Sequence, residues 1–519
     1  MAELAADTAL PRVRPAEVAL LASVFVVAAC GLVYELAAGT LASYLLGDSI
    51  LQFSTVIGTY LAAMGVGSYL SRFFERQLVA HFLRIELLVG LVGGLMPAAL
   101  FALQTLGVGS FRFVLYLLVL TIGVLVGLEI PLVMRLLKRH GRNAGGSLSH
   151  LVSQVLTFDY LGALAVSIAF PLLLVPQLGL IRTGAFFGLM NAVVAVWALL
   201  LFRGELRRFG AHALACALTI AALIGAFAAA DRVTTWAEDK LYADHVLYSE
   251  TSAYQRVVVT ASKLGVRLFL NGNLQFHSRD EYRYHEALVH PAMAGQGAPK
   301  NVLVLGGGDG MAAREILKYP SVEQVTLVEL DPHMTKLFST EPLLRALNHD
   351  SLLSPKLKVV NADAFAWLEQ APEHYDVIVV DFPDPTNFSI GKLYTSTFYE
   401  LIDQHLNASG FAVVQTTSPL IARKSFWTVA TTIEAAGLTA TPYHAHVPSF
   451  GEWGFILASR RPFHMPTALP AGLRFLSVAD LPTLFNFPLD MARVPTEVNR
   501  LSNQVLVQTF DDEWGKVRP

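Results

Sequence analysis

The sequence predicts two structural classes in one chain: a multi-pass α-helical membrane domain, followed by a soluble α/β domain. Two observations predict this division. Residues 17 to about 230 are long apolar runs separated by short Arg-rich or Gly-rich joints, whereas the rest has the composition of a soluble globular protein. The second observation is a glycine-rich turn between two apolar strands, within residues 301–331, which is typical of a Rossmann-like nucleotide-binding unit.

The bulk composition sets limits on the class of protein. The chain has 519 residues, 54% of them hydrophobic, with a mean hydropathy of +0.49, which is too apolar for an ordinary soluble protein. A formal net charge of −3 and the lack of a basic tract give no indication of nucleic-acid binding. Cys30 and Cys216 both lie in apolar runs, so we expect no disulfide framework and no metal-binding pattern. We also expect no cleavable signal peptide, because the first apolar run is longer than a signal core.

About seven apolar runs are long enough to cross a bilayer. Arg and Lys concentrate in alternate joints, near residues 12–14, 72–84, 135–142 and 203–208, and the positive-inside rule assigns these joints to the cytoplasm. The predicted spans are roughly residues 18–38, 50–71, 85–106, 111–134, 152–175, 180–202 and 211–230.

Three acids lie within or near the apolar runs: Glu35, Glu129 and Asp159. An acid inside a membrane is a candidate functional residue, because burying its charge is costly. The alternative is an acid at a helix end or paired with an Arg.

The soluble half begins with short strands. Strand-like segments at residues 246–248, 254–260 and 266–270 precede an Asn-Gly-Asn turn, which predicts a small β-hairpin domain. A helix is predicted from near Asp280. The expected domains are 1–230 in the membrane, 231–279 for the small β domain, 280–460 for the Rossmann-like domain, and 461–519 for a tail that packs on it.

The glycine turn, Gly306–Gly310, contains an acid that restricts the ligand. A carboxylate at Asp309 would repel a pyrophosphate, so NAD and FAD are not expected, whereas a nucleoside with a cationic tail would be attracted. Glu329 ends the next strand, where an acid can hold two ribose hydroxyls.

Further polar residues follow the later strands. Asp363 comes after the strand at 357–360, Asp381 and Asp384 come after 375–380, and Gln415 ends the strand at 411–415. Because ligands of open α/β sheets sit at the carboxyl ends of the strands, these side chains are predicted to converge with Asp309 and Glu329.

So many carboxylates require a cation between them. No His/Cys cluster accompanies them, so a transition metal is not expected, and a magnesium site would come with phosphate-binding residues. A polycationic small molecule fits better.

These residues resemble the spermidine synthase (polyamine aminopropyltransferase) family over about residues 244–459. The resemblance implies a fold like that of S-adenosylmethionine-dependent methyltransferases. The apolar half resembles the transporter-like membrane domain fused to some bacterial relatives. The matching pieces are Tyr254-Gln255, residues 268–293, Gly306–Gly310, Glu329 with Asp331, Asp363, Asp381 with Asp384-Pro385, Gln415 and Gly454-Phe455.

The resemblance implies transfer of an aminopropyl group from decarboxylated S-adenosylmethionine to a diamine, usually putrescine, giving spermidine and methylthioadenosine. No tightly bound cofactor and no metal are expected. Asp309 would hold the ammonium of the donor, and Asp381 would be the catalytic acid/base. The other implied roles are thioadenosine binding by Gln255, Glu329, Asp363 and Ala364, and amine binding by Tyr284, His285, Asp384 and Gln415.

The same resemblance implies a location. The donor is cytosolic, so the expected place is a bacterial inner membrane with the catalytic domain in the cytoplasm, and a homodimer is implied only by family analogy. Seven spans from a cytoplasmic N-terminus would instead leave the soluble half outside. Either one run is re-entrant, or the first long run, to about Leu46, contains a second crossing.

The sequence departs from the family in the amine pocket. The usual Asp-Ser-Ser-Asp-Pro is replaced by Asp381-Phe382-Pro383-Asp384-Pro385, Ala364 stands where Gly is usual, and Phe450 falls near a frequent Tyr. The identity of the acceptor amine is therefore open.

Three alternatives to a simple membrane-anchored synthase also remain. The first is a polyamine transporter or sensor with a non-catalytic synthase-like domain, and the second is an S-adenosylmethionine methyltransferase. The third is a combined enzyme and exporter with Glu35 and Asp159 as cation ligands. His285 has an alternative of its own, as a structurally satisfied helix histidine.

Overall fold

The computed structural model describes residues 15–46, 49–105, 111–140, 148–242, 244–252 and 254–517. The chain divides into two compact units, Met1–Asp244 and His245–Pro519. They are called below the apolar unit and, after its predicted class, the soluble unit. The predicted boundary at residue 230 falls within the last helix of the first unit, which continues to Leu241. The predicted basic joint residues Arg12, Arg14 and Arg142 lie outside the described residues.

The first unit is built from apolar helices, as the sequence predicts. Six described segments are long and apolar enough to cross a membrane. Buried residues of these helices form one continuous apolar core. The helices are α1 (Pro15–Leu46), α2 (Ser49–Leu70), α3 (Leu78–Thr105), α4 (Phe111–His140), α5 (Leu148–Ala169), α6 (Val175–Leu201) and α7 (Phe209–Leu241).

The fifth apolar segment, Ser149–Leu201, is 53 residues long and includes two of the predicted spans. A straight helix of that length would extend about 80 Å, far more than a bilayer core. Gly179 interrupts it with a non-helical backbone (φ 72°, ψ 169°), and Thr183 Oγ1 donates to the Leu174 carbonyl at 3.3 Å. The count of about seven spans stays a prediction. Because α1 is one continuous helix, the first run does not contain a second crossing.

Glycines allow close helix packing in this unit. A Cβ on Gly67 of α2 would lie 2.0 Å from the Val124 carbonyl oxygen of α4. A Cβ on Gly188 of α6 would lie 2.6 Å from the Gly90 carbonyl oxygen of α3. Such backbone contacts stabilise helix association where no hydrophobic driving force exists.

The second unit begins with the predicted small β domain. Its four antiparallel strands lie in sequence order, and the turn between the third and fourth contains Asn271 and Gly272, both with positive φ. The strands are β1 (His245–Thr251), β2 (Arg256–Ser262), β3 (Gly265–Leu270) and β4 (Asn273–His277).

A seven-stranded mixed sheet follows, which confirms the Rossmann-like fold. The sheet order is β10-β11-β9-β8-β5-β6-β7, and only the β9-β11-β10 pairings are antiparallel. The strands are β5 (Asn301–Gly306), β6 (Gln324–Glu329), β7 (Leu357–Asn361), β8 (Tyr375–Asp381), β9 (Leu406–Gln415), β10 (Thr439–Val447) and β11 (Gly451–Ser459).

Helices connect and cover these strands. Asp280 is the N-cap position of the first of them, close to the predicted start. They are α8 (Glu281–Gln296), α9 (Met311–Ile316), α10 (Pro332–Thr340), α11 (Pro342–Asn348), α12 (Ala364–Leu368), α13 (Phe388–Gly391), α14 (Ser396–His405), α15 (Arg423–Ala435) and α16 (Val505–Trp514).

The sheet order creates a ligand crevice. From β5 the chain builds outward through β6 and β7, and it then crosses back to place β8 on the other side of β5. The strand order therefore reverses between β5 and β8, where open α/β sheets bind their ligands. Gly306 at the end of β5 pairs in register with Asp381 at the end of β8.

A buried charge network ties α8 to α9 behind this crevice. Arg314 of α9 makes two hydrogen bonds to the Glu281 carboxylate of α8, at 3.0 and 2.9 Å, and a third to Glu315 at 2.9 Å. His290 of α8 contacts the other oxygen of Glu315 at 2.9 Å. Burial opposes ionisation of Glu281, but its hydrogen bonds and charge interactions with His285 and Arg314 outweigh burial and lower its pKa to about 2.

We expect Arg314→Met to destabilise the soluble unit by about 3–5 kcal/mol, because it removes the bidentate cation from buried Glu281 and leaves buried Glu315 with only Lys318 and His290. Urea unfolding of the full-length protein measures this change. The matched control is Arg345→Met, which removes a more exposed ion pair with Asp350 and should cost less than about 1 kcal/mol. Equal effects of the two substitutions would contradict the structural role of the network.

Candidate active site

The glycine turn fits closely between two acids. Gly306 has φ 82°, and a Cβ there would lie 2.2 Å from the Asp381 carbonyl oxygen. A Cβ on Gly308 would lie 2.7 Å from Oε2 of Glu329. The turn thus brings its backbone against the ends of β8 and β6 at positions where a side chain would not fit.

Glu329 is held by backbone amides. Its Oε2 accepts from Gly308 N at 3.1 Å, and its Oε1 accepts from Asp331 N at 2.9 Å. Burial, with the charges of Asp331 and Asp309 as smaller causes, raises the pKa of Glu329 to about 7 despite these hydrogen bonds. Each carboxylate oxygen retains capacity for a second hydrogen bond, as a ribose hydroxyl would require.

Asp309 lies at the base of the same turn. Its Oδ1 accepts from Met311 N at 2.9 Å, and its carbonyl accepts from the Asn348 side chain at 2.9 Å. Burial raises the pKa of Asp309, whereas the nearby charge of His285 lowers it. The carboxylate is therefore fixed in position. Burial makes its ionisation unfavourable, and a bound cation would offset this cost in free energy.

Asp381 ends β8 on the opposite side of the turn. Its Oδ1 accepts from Tyr284 Oη of α8 at 2.6 Å. Burial raises the pKa of Asp381 to about 6, and the charge of Asp309 adds to this, while His285 and the Tyr284 hydrogen bond act in the opposite direction. A carboxylate with such a pKa is suited to accept a proton near neutral pH.

Two residues, Gln415 and Tyr394, hold the loop after Asp381 by hydrogen bonds. Gln415 donates from Nε2 to the Phe382 carbonyl and, at 3.2 Å, to Tyr394 Oη, and Tyr394 Oη donates to the Pro383 carbonyl at 3.1 Å. Gln415 Oε1 accepts from Trp453 Nε1 at 3.0 Å. The buried amide of Gln415 thus makes its hydrogen bonds within the protein and positions the loop that carries Asp384. No motif in the sequence indicates the part played by Tyr394.

His285 is buried in α8 next to Tyr284. Its Nδ1 lies 2.7 Å from Glu281 Oε2 and 2.9 Å from the Glu281 carbonyl oxygen. Burial acts to lower the pKa of His285, but the hydrogen bond and charge of Glu281 outweigh it, and Asp309 and Asp381 add to the increase. The ring is thus oriented by Glu281 and interacts with both crevice acids.

The remaining residues that are predicted to bind the donor nucleoside lie on the far side of the crevice. Gln255 Nε2 donates to Asp331 Oδ2 at 3.1 Å, at the start of β2. Asp363 caps α12, which begins at Ala364, by accepting from Phe365 N at 2.9 Å.

The sequence does not predict the position of Lys392, because the predicted crevice residues are acidic and give no indication of a cation among them. Its Nζ lies 2.6 Å from Asp363 Oδ2. Burial acts to raise the pKa of Asp363, but the hydrogen bond and charge of Lys392 outweigh it, so the pKa lies below its ordinary value.

The structure therefore brings Asp309, Glu329 and Asp381 around one glycine turn. Asp384 interacts electrostatically with Tyr284, the partner of Asp381, and Asn361 pairs with Glu329 in register two residues before Asp363. Among the residues that the structure describes, no group of three or more His, Cys, Asp or Glu side chains is arranged to hold a metal ion. The crevice offers a fixed anionic wall and one carboxylate suited to proton transfer.

Gly308→Ala should lower kcat/KM for the donor nucleoside about 100-fold, because the new methyl group displaces the Glu329 carboxylate. Steady-state kinetics would measure this change. Gly437→Ala is the control, since Gly437 also belongs to the soluble unit and has positive φ, but no atom lies within 4 Å of its added Cβ. An unchanged KM and kcat in Gly308→Ala would show that Glu329 does not contact the donor.

Tyr284→Phe removes the hydrogen bond that stabilises ionised Asp381, so the pKa of Asp381 should rise. A base acts when deprotonated, so the acid limb of the kcat/KM profile should move to higher pH. A hydrogen bond to an ionised group corresponds to about 1–2 pH units. Loss of rate without movement of the limb would assign Tyr284 to amine binding alone.

Comparison with known proteins identifies the family of this chain. Residues 281–465 match the family model for the spermine/spermidine synthase domain. Polyamine aminopropyltransferase 2 of Ralstonia nicotianae is 56% identical over 505 residues, covering 96% of this chain and 98% of that protein. The polyamine aminopropyltransferase of Leptospira interrogans is 48% identical over 501 residues, covering 96% and 99%. A crystal structure of spermidine synthase in complex with the transition state analogue AdoDATO aligns with a TM-score of 0.43 and 27% identity, over 47% of this chain and 85% of that one. The chain is a transferase and belongs to the polyamine aminopropyltransferase family.

Proposed function

We propose that the soluble unit moves the aminopropyl group of decarboxylated S-adenosylmethionine to putrescine, giving spermidine and methylthioadenosine. The observation that carries this proposal is the placement of Asp309 within the glycine turn and of Asp381 directly against that turn. That position contacts the phosphates of a dinucleotide in other proteins of this architecture. Two carboxylates there favour a nucleoside whose tail is cationic. The names of the similar proteins support the same class of reaction.

The donor would lie along the carboxyl ends of β5, β6 and β7. Glu329 would accept hydrogen bonds from the ribose hydroxyls through its remaining lone pairs, and Asp309 would bind the terminal ammonium. Asp363 and Ala364 would contact the adenine, with Gln255 closing the thioadenosine side. Asp309 would repel the carboxylate of intact S-adenosylmethionine, so the site would bind the decarboxylated donor in preference to the intact one.

The reaction needs a neutral amine in line with an electrophilic carbon. The amine nitrogen forms a bond to the methylene next to the sulfonium, and the carbon–sulfur bond breaks with its electron pair going to sulfur. The proton that leaves the amine goes to Asp381, whose Oδ1 is oriented by Tyr284. No covalent enzyme intermediate is needed, because the sulfonium is itself a good leaving group.

The second amine of the acceptor would determine how the diamine is positioned along the crevice. Asp384 lies three residues after Asp381 on the loop held by Gln415 and Tyr394, and it would bind the distal ammonium. Tyr284 and His285 would line the amine side of the crevice. The length of the acceptor is thus set by the separation of Asp381 and Asp384, which the held loop keeps constant.

The apolar unit would anchor the enzyme in a bacterial inner membrane. The six apolar segments support a multi-pass arrangement. The donor is a cytosolic metabolite, so the catalytic unit would face the cytoplasm. A homodimer rests on family analogy alone.

The test is release of methylthioadenosine by purified full-length protein. Decarboxylated and intact S-adenosylmethionine are supplied in parallel, each with putrescine, cadaverine, diaminopropane and spermidine. We expect release from the decarboxylated donor with putrescine, and a fall of about 10²–10⁴-fold in Asp381→Asn. Asp376→Asn is the control, because Asp376 lies on the same strand but accepts from Lys300 N and Asn301 N at its other end. Binding of amine and donor without any release would favour the sensor or transporter alternative.

Asp309→Asn should change donor selectivity. Removing the charge that repels the carboxylate of intact S-adenosylmethionine should raise its affinity, relative to the decarboxylated donor, by about 10- to 100-fold. Calorimetric titration of both donors measures the ratio. An unchanged ratio would show that Asp309 does not face the aminopropyl end.

A further inference from the structure

Two carboxyl groups are fully buried inside the apolar unit. Glu86 of α3 and Glu129 of α4 both have a relative exposure of 0%. The described residues provide neither with an ion pair. The sequence predicts Glu129 as a candidate but not Glu86, which lies at the start of its apolar run, two residues after Arg84.

Glu86 belongs to a short hydrogen-bonded chain across three helices. Its Oε2 accepts from Asn191 Nδ2 of α6 at 2.8 Å, and Asn191 Oδ1 accepts from Tyr34 Oη of α1 at 2.9 Å. Oε1 of Glu86 and both carboxyl oxygens of Glu129 are buried without a hydrogen-bond partner among the described residues. Unsatisfied acceptors inside a packed bundle are rare and call for an occupant.

The groups that face this pair are acidic or neutral. Glu129 interacts electrostatically with Glu86 and with Asp159 of α5. Cys30 and Tyr34 of α1 interact with both carboxyls, and Tyr60 of α2 interacts with Glu129. Among the described residues, no Lys or Arg interacts with this pair, so we expect charge neutralisation to come from a bound proton or cation.

Two adjacent carboxylates at membrane depth would cost several kcal/mol if both were ionised and empty. Each must therefore carry a proton or share a cation. The glycine contacts between α2 and α4 and between α3 and α6 leave the backbones in direct contact. Because Oε1 of Glu86 and both carboxyl oxygens of Glu129 are buried from solvent, a proton on each carboxyl is the neutral form that this arrangement accommodates.

We propose that Glu86 and Glu129 form a cation site that exchanges its protons for an alkylammonium ion, which makes the apolar unit an amine carrier. The available ligands are carboxyl, amide and phenol oxygens, together with the rings of Tyr34 and Tyr60, and this set suits an ammonium group. Sodium sites in carriers use carbonyls of unwound helices, whereas α3 and α4 are helical at these residues. The choice of a polyamine as cargo rests in addition on the proposed function of the soluble unit.

This assignment differs from the one expected from the sequence. Glu35 and Asp159, the earlier candidates, are only partly buried. The structure places the completely buried pair elsewhere, on α3 and α4.

The experiment is uptake of radiolabelled spermidine into acid-inside proteoliposomes that contain the full-length protein. Glu86→Gln/Glu129→Gln keeps the shape of protonated carboxyls and should reduce uptake at least tenfold, to the level of protein-free vesicles. Glu35→Gln is the matched control and should retain uptake. Methylthioadenosine release by each preparation shows that the variants are folded, and it reports on the synthase reaction independently of uptake.

Some results would overturn the proposal while the synthase reaction stands. They are wild-type uptake no greater than that of protein-free vesicles, uptake that persists in the double variant, and pair-dependent uptake of labelled sodium without spermidine uptake. Should the double variant fail to insert, the single variants are assayed in the same way. Full uptake in both single variants would also overturn it.

Discussion

The burial of neighbouring carboxylates around the glycine turn is the constraint on which the candidate active site depends. Asp309, Glu329 and Asp381 are brought together because parallel strands end at one edge of the sheet and because the turn has no side chains to separate them. Burial alone would favour their neutral forms, and it raises the pKa of Asp381 to about 6 and that of Glu329 to about 7. The crevice is therefore anionic at a cost, and a cationic ligand removes that cost.

The surrounding residues hold these acids in place until such a ligand binds. Backbone amides of Gly308 and Asp331 hold Glu329, Met311 N holds Asp309, and Tyr284 holds Asp381. Behind them, Arg314 joins the helix that carries Tyr284 to the helix that follows the turn. The apolar unit contains its own pair of buried acids, Glu86 and Glu129, where the same physical argument requires either a proton on each carboxyl or a shared cation. Both units thus contain sites whose empty, ionised form is unfavourable.

Much of this fold could be predicted from the sequence. The strands carry strong patterns of β-branched residues, and the predicted bounds of β3, β7 and β8 agree with the structure to about one residue, whereas β1 and β9 are longer than predicted. The bounds of β10 are not predictable from hydrophobic alternation, because Pro442 interrupts the pattern, as an edge strand allows. The acids at the carboxyl ends of β5, β6 and β8 were predictable because the topology alone determines where those ends meet.

Contacts between distant residues were not predictable in the same way. The pairing of Lys392 with Asp363, the use of Gln415 to hold a loop, and the burial of Glu86 all depend on packing between elements far apart in sequence. A residue type shows what a side chain can bind, but its partners are fixed only by the assembled structure.

The most direct test of the central claim is a count of the protons released when the donor binds. Calorimetric titration of the full-length protein with decarboxylated S-adenosylmethionine, near pH 6 and in buffers of different ionisation enthalpy, gives this number. If a cation lowers the pKa of Asp381 and Glu329, binding should release protons, and intact S-adenosylmethionine should bind more weakly. Binding with no proton release, and with equal affinity for the two donors, would contradict the electrostatic account of the crevice.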